Sequence, residues 1–350
     1  MVVKTYGTMG RPMSRFAARL DRLLHRLSNE GEMSDGVERV MQEELSRTVS
    51  LRDILGRHES DELERFFSEL DALPRLRPVM VSLAAHAAGA GETESELQYT
   101  AELLHLALIV HDVALGRQGG RRRRLARKIM KRSIGMFGGH SFTLRALELA
   151  RHTSSPEILG ELVETLRDFS DGQHLSEGWR DGKSLANREE YFHHADSHTG
   201  ALLSFCCRSG AHLAGGDLTT LTALGRYGRH VGRVWNMADD VVQLSSESAE
   251  DYLIQRATSG RPVLPASIAG ERDVQVHSLW GEMVKTPSYS NASRVLEAIR
   301  EQDGIRLGAE MLVKESWTAR RALRHVPESE YRSALDSLVS GMARESVLVA

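Results

Sequence analysis

The sequence predicts an all-α protein. Apolar positions recur at helical spacing through most of the chain, and no alternating strand pattern of useful length appears. Aromatic residues make up only 5% of the 350 residues and there are just 8 prolines, while Leu, Ala, Arg and Glu recur throughout, a balance that favours long helices over sheets. With 41% hydrophobic and 27% charged residues, the chain has ample material for a sizeable core and does not have the composition of a disordered polymer. A formal net charge of −3 gives no global attraction to nucleic acid or to an anionic membrane, so affinity for phosphate has to be local. Four consecutive arginines, Arg121 to Arg124, form one such local patch. Residues 1–19 lack the uninterrupted apolar core of a secretory signal and no run reaches roughly 18 apolar residues, so neither a leader nor a transmembrane segment is expected. The two cysteines, Cys206 and Cys207, are neighbours in an apolar helical stretch, which predicts buried thiols in a reducing, cytoplasmic setting.

Taken in order, residues 1–35 read as a basic, glycine-punctuated N-terminal extension with one amphipathic helix around 15–27, and 36–350 as a helical domain. Helical spacing covers 36–70, after which Pro74 and Pro78 bracket a short turn before the apolar run 79–90. The stretch 96–115 (ELQYTAELLHLALIVHDVAL) is apolar almost all round, which predicts a core helix whose polar members Glu102, His105, His111 and Asp112 need buried partners. Further helices are expected over 129–151, 155–173, 188–215, 218–244 and from 292 to the end. With no internal repeat and no low-complexity linker, a single domain of about ten helices is the simplest organisation.

In VWNMADDVVQL, Asn236, Asp240 and Gln243 fall at i, i+4 and i+7 with Asp239 beside them, one polar stripe on an otherwise apolar helix. Two adjacent carboxylates among apolar residues need neutralising, either by a hard cation such as magnesium or by structural salt bridges. On the earlier core helix His105 and Asp112 lie two turns apart on one side, and the following turn delivers the arginine run. Arginine forks beside carboxylates suit a diphosphate with a metal, whereas a solvated surface turn is the plainer reading of the run. Nucleic acid is disfavoured because the patch is short and has no interleaved aromatic residues. Glu102 with His105 and Glu190 with His193 have the Glu-x-x-His spacing of di-iron bundles, but no apolar helix presents the further lone Glu that such a site takes from each of two more helices. Glu190, His194 and His198 share one face, but successive turns of one helix seldom wrap a tetrahedral zinc, and a solvated polar face is the plainer reading.

Six segments, in order and at suitable spacing from about residue 70 onward, resemble the trans-isoprenyl diphosphate synthases, the polyprenyl synthetases: PRLRPVMVSLAAHAAGA, AELLHLALIVHD, MFGGHSFTLRALEL, EEYFHHADSHTGALL, LGRYGRHVGRVWNMADDVVQL and GRPVLP. The resemblance implies a single-domain isoprenoid synthase bundle around a central cavity. Two aspartate-rich motifs would face each other there, bind magnesium and draw diphosphate from an allylic prenyl donor. It places Asp112 on the first motif and Asp239, Asp240 and Gln243 on the second, as catalytic and metal-binding positions. Arg77 corresponds to the arginine that holds isopentenyl diphosphate, with Arg75 as a substitute charge beside it. His105 corresponds to a helper of that arginine, His198 and Thr199 to a Lys-Thr pair, and Arg121 and Arg122 to the arginines after the first motif.

The departures from the family pattern are specific. Asp112 is followed by Val113, Ala114, Leu115 and Gly116, so one carboxylate of three survives in the first motif, and the second ends in the neutral Gln243. Pro74, His198 and Arg261 stand where the family has lysines. Two functional readings follow. In one, the pocket binds an allylic prenyl diphosphate with magnesium and passes the prenyl group to an unknown, non-standard acceptor, with a histidine removing the proton. In the other, catalysis has been abandoned and the chain is the regulatory subunit of a heteromeric synthase. A terpene cyclase is a third possibility, set apart by consuming its prenyl diphosphate without an acceptor. The resemblance also implies dimerisation through helices around 129–173, either as a homodimer or with an active synthase.

Overall fold

A computed structural model describes residues 39, 40, 43, 76–114, 135–182 and 184–348, with the backbone alone given for 112–114 and 135–138. Among the described residues the architecture is entirely helical: thirteen α-helices, one π-turn and one 3-10 turn, with no strand. The described helices pack into one all-α bundle.

Helices α1 (Leu76–Ala87) and α2 (Ser95–Ala114) form an antiparallel pair at the centre. Every residue of α1 is buried, which explains why its apolar sequence shows no polar face. Pro78 lies within α1 and does not close a turn before it; a proline is tolerated in the first turn of a helix, where its missing N–H has no partner to lose. Helix α3 (Gly135–His152) packs on α2, and α4 (Glu157–Trp179) packs on α3 and on the segment that follows it. The expected 188–215 helix is divided into α5 (Arg188–Ala195), a π-turn (Asp196–Gly200) and α6 (Ala201–Leu213). A capping box starts α5, in which the Asn187 side chain accepts from the Glu190 N–H while the Glu190 carboxylate accepts from the Asn187 N–H at 2.8 Å.

Helix α7 (Leu218–Leu244), 27 residues long and capped by Asp217, lies against α6 and the π-turn. The approach is close enough that a Cβ on Gly228 would sit 2.2 Å from the Leu203 carbonyl oxygen, and one on Gly232 2.5 Å from the Gly200 backbone. Glycine at these two positions lets α6 and the π-turn lie directly against α7. The C-terminal helices α12 (Gly304–Ala322) and α13 (Glu330–Val347) close the other side of α7, and Tyr227 donates from the core to the Leu335 carbonyl at 2.6 Å.

Three helices absent from the sequence reading, α8 (Ala249–Thr258), α9 (Leu264–Arg272) and α10 (Gln275–Lys285), pack together with α11 (Tyr289–Glu301), with α8 and α9 touching α7 and α9 touching α12. They enclose their own apolar cluster, built around Leu253, Val263, Trp280, Met283, Val295 and Ile299. The single helix expected from 292 onward is interrupted at Asp303, whose backbone takes a left-handed conformation (φ 56°), and again after His325. Cys206 and Cys207 are fully buried free thiols, and burial pushes both well above the ordinary thiol range. No helix among the described residues is long and apolar enough to cross a membrane.

Candidate functional site

The acidic pair near the C-terminal end of α7 meets the start of α9 and one face of α8. Asp240 is fully buried, and each of its oxygens has a protein donor. Its Oδ1 accepts from the Tyr252 hydroxyl at 2.5 Å and from Arg256 Nη2 at 3.0 Å, while its Oδ2 accepts from the Leu264 N–H at 2.9 Å. Asp239 is half-buried, with Oδ2 3.6 Å from the same Arg256 nitrogen and Oδ1 accepting from Gln243 Nε2 at 3.4 Å. Arg256 also donates through Nε to the Tyr252 hydroxyl at 2.7 Å and stacks its guanidinium 5.0 Å from that ring. Burial pushes the Asp240 carboxyl up, with Arg256, Tyr252 and the Leu264 amide pulling against it. Burial would lower Arg256, but Tyr252, Asp240, Asp239 and Tyr191 around it outweigh that and hold it firmly charged. Tyr191 of α5 is buried near the same carboxylates, its phenol pushed up by burial and then by Asp240.

On the opposite helices Arg77 of α1 faces Glu102 of α2 rather than an open cavity. Its Nε and Nη2 reach the two carboxylate oxygens at 2.8 and 3.1 Å, with both side chains under 10% exposed. Glu102 thereby finds the buried partner its apolar helix requires. His105, one turn further along α2, is half-buried. Asp112 is on the last turn of α2 with its side chain outside the described residues, and Arg75, Arg121 and Arg122 lie outside them altogether.

The π-turn brings His198 and Thr199 toward α7. Thr199 Oγ1 lies 3.5 Å from Asn236 Oδ1, one turn before Asp239. His198 stacks on His194 with ring centroids 4.3 Å apart, and its ring covers Gly172 of α4. Asp196 of the same turn is held by both forks of Arg233 at 2.6 Å, and Arg233 continues to Glu315, which His230 also contacts at 2.6 Å. Sequence reasoning thus marked Asp239, Asp240, Gln243 and Thr199, which the fold gathers along α7, but missed Tyr252, Arg256 and Tyr191. The signal for the first two was present: Tyr252 and Arg256 stand at i, i+4 in the segment linking the acidic pair to GRPVLP.

The Polyprenyl synthetase family profile matches residues 74–258, more than half of the chain, including Arg77, Glu102, Tyr191, Asp239, Asp240, Tyr252 and Arg256. The chain belongs to the polyprenyl synthetase family. Among its relatives, the octaprenyl diphosphate synthase of Haemophilus influenzae is 25% identical over 270 residues, spanning 75% of this chain and 82% of the relative. The (2E,6E)-farnesyl diphosphate synthase of Mycobacterium tuberculosis is 29% identical over 173 residues, 48% of each chain. A Caulobacter crescentus polyprenyl synthase complexed with calcium and isoprenyl diphosphate superposes with a TM-score of 0.72 at 22% identity, over 95% of this chain and 99% of that one. The decaprenyl diphosphate synthase of Rhodobacter capsulatus gives 0.71 at 18% identity, over 89% and 99%.

Family membership implies magnesium, and the acid pair is where its fit can be tested. Magnesium asks for oxygen ligands at near-octahedral geometry, usually one or two carboxylates with waters. Here both Asp240 oxygens already accept from protein donors, Gln243 turns its amide N–H toward Asp239, and a guanidinium stands beside both carboxylates. No group of three His, Cys, Asp or Glu among the described residues is arranged to hold a metal. In this arrangement the residues of the second acidic motif do not fit the ion.

Proposed function

We propose that this polyprenyl synthetase family protein binds an allylic prenyl diphosphate among its helices and passes the prenyl group to an acceptor other than isopentenyl diphosphate. The observation that carries this reading is the buried Arg77–Glu102 pair. The guanidinium that would hold the diphosphate of a five-carbon acceptor is already neutralised by a forked carboxylate, and releasing it would strand Glu102 in an apolar core. The half-buried polar groups His105, His198 and Thr199 are candidates for holding the donor and for proton removal, as are Asp112 on the last turn of α2 and, outside the described residues, Arg121 and Arg122.

A second reading is favoured by a separate observation. Arg256 occupies the acid pair that would take part in metal-assisted departure of the diphosphate, as expected of a non-catalytic subunit that shapes the product of an active synthase. The two readings separate in one experiment. The purified protein is titrated calorimetrically with geranyl, farnesyl and geranylgeranyl diphosphate, then incubated with the tightest binder and isopentenyl diphosphate, and the products are read by mass spectrometry. Binding without elongation supports the proposal, and elongation by five-carbon units overturns it. Copurification with an active synthase whose product length changes on removal of this chain would select the subunit reading.

A further inference from the structure

We propose that Arg256 is the resident counter-cation of the second acidic motif, so that Asp239 and Asp240 form a metal-independent latch joining α7, α8 and α9 and do not recruit magnesium. The claim concerns the metal side of the site alone and does not depend on which prenyl diphosphate, if any, binds.

Three features support it. Both oxygens of the buried carboxylate are engaged by the protein: Asp240 Oδ1 holds the Tyr252 hydroxyl and Arg256 Nη2, and its Oδ2 holds the Leu264 N–H at the beginning of α9. The charge is also balanced locally. A guanidinium 3.0 Å from one carboxylate and 3.6 Å from the other supplies fixed positive charge, and a divalent ion placed beside it would meet repulsion with little water to screen it. Arg256 is itself fixed in place by its bond to the Tyr252 hydroxyl and its stacking on that ring, one turn away on the same helix. Replacing the latch with an ion would therefore mean breaking contacts on three helices and leaving a buried arginine without an anion.

The consequence is mechanical. Here α8 and the α9 N-terminus are tied to α7 in the resting protein by bonds that need no ligand. The apolar cluster of α8 to α11 is thereby fixed onto the main bundle through a charged hinge point, with Leu244 at the end of the same helix packing into it.

The test uses metal and pyrophosphate alone, so it stands or falls separately from prenyl binding. Terbium is a hard, oxygen-seeking stand-in for magnesium whose luminescence is sensitised by nearby tyrosines, here Tyr252 and Tyr191. Wild type and Asp239→Asn are compared for terbium luminescence and for the thermal shift produced by magnesium with inorganic pyrophosphate. The proposal expects the two proteins to give the same luminescence and the same thermal shift. It expects Asp240→Asn to unfold at least about 5 °C lower whether or not magnesium is present. Arg256→Ala, if it folds, should gain terbium luminescence that Arg256→Ala with Asp239→Asn loses. A wild-type magnesium or terbium response abolished by Asp239→Asn would overturn the proposal, and that comparison remains decisive even if the Arg256 variant does not fold.

Discussion

Replacing Glu102 by leucine tests whether Arg77 belongs to the fold or to a ligand. In the structure Arg77 spends two N–H donors on the two Glu102 oxygens, and the side chains are 9% and 8% exposed, so the change leaves a guanidinium in an apolar core with no anion. Breaking one side of such a pair costs about 3–5 kcal/mol. The double replacement Arg77→Met with Glu102→Leu removes both desolvation penalties at once and should return to wild-type stability or exceed it by about 1–4 kcal/mol. Urea unfolding followed by circular dichroism measures both, with midpoints compared at unchanged slope. A loss below about 1 kcal/mol for Glu102→Leu would refute the reasoning, because the buried guanidinium would then have another anion or water to turn to. So would a double variant as unstable as the single one, since the cost would then lie in packing and not in charge.

Gly228→Ala places a Cβ against the Leu203 carbonyl, backbone that cannot swing aside, and should cost about 1–3 kcal/mol in urea unfolding. Gly160→Ala on exposed α4, where nothing lies within 4 Å, should instead gain up to about 1 kcal/mol. Tyr227→Phe removes the buried donor to the Leu335 carbonyl and should cost about 1–3 kcal/mol by the same measurement. Burial pushes Glu315 up, but the stronger pull of His230 and Arg233 leaves it below the usual glutamate range in the folded protein. Its contribution is therefore complete above the ordinary glutamate pKa of about 4.3 and is lost as pH falls through the lower folded value. Glu315→Gln should accordingly show a shallower loss of stability than wild type on acidification below about pH 4.3, read from urea midpoints across pH. An unchanged acid slope would mean that His230 and Arg233 do not hold this carboxylate in solution.

The parts of the fold that periodicity describes were legible. Helix α7 matches its expected 218–244 bounds, and the apolar 96–115 stretch is the core helix α2, because each depends on a pattern carried within one segment. The misses have local causes. Helices α8 to α10 are short, 10, 9 and 11 residues, and Gly260, Pro262 and Pro265 break their apolar pattern before a period can establish itself. The π-turn is invisible for a different reason: DSHTG has no composition that distinguishes it from α-helix, and the extra residue is accommodated because Gly232 on another helix leaves room for Gly200.

The candidate site divides along the same line. Acidic and basic residues could be picked out one by one, and the need to neutralise Asp239 and Asp240 could be stated, yet a magnesium ion and a salt bridge satisfy that need equally well on paper. What decides between them is which donor the tertiary fold delivers. Arg256 lies 16 residues beyond Asp240, and Glu102 lies 25 beyond Arg77, separations at which sequence spacing carries no information about contact. Both pairs also show why retained charge is weak evidence for a retained ligand. A carboxylate or guanidinium inside an apolar bundle must be matched by something, and once a neighbouring helix supplies the match, truncating either partner alone is penalised whether or not a substrate ever binds. In this chain persistence of Arg77, Asp239 and Asp240 is therefore accounted for by their internal partners, and evidence for diphosphate chemistry has to come from groups without such a match or from direct titration.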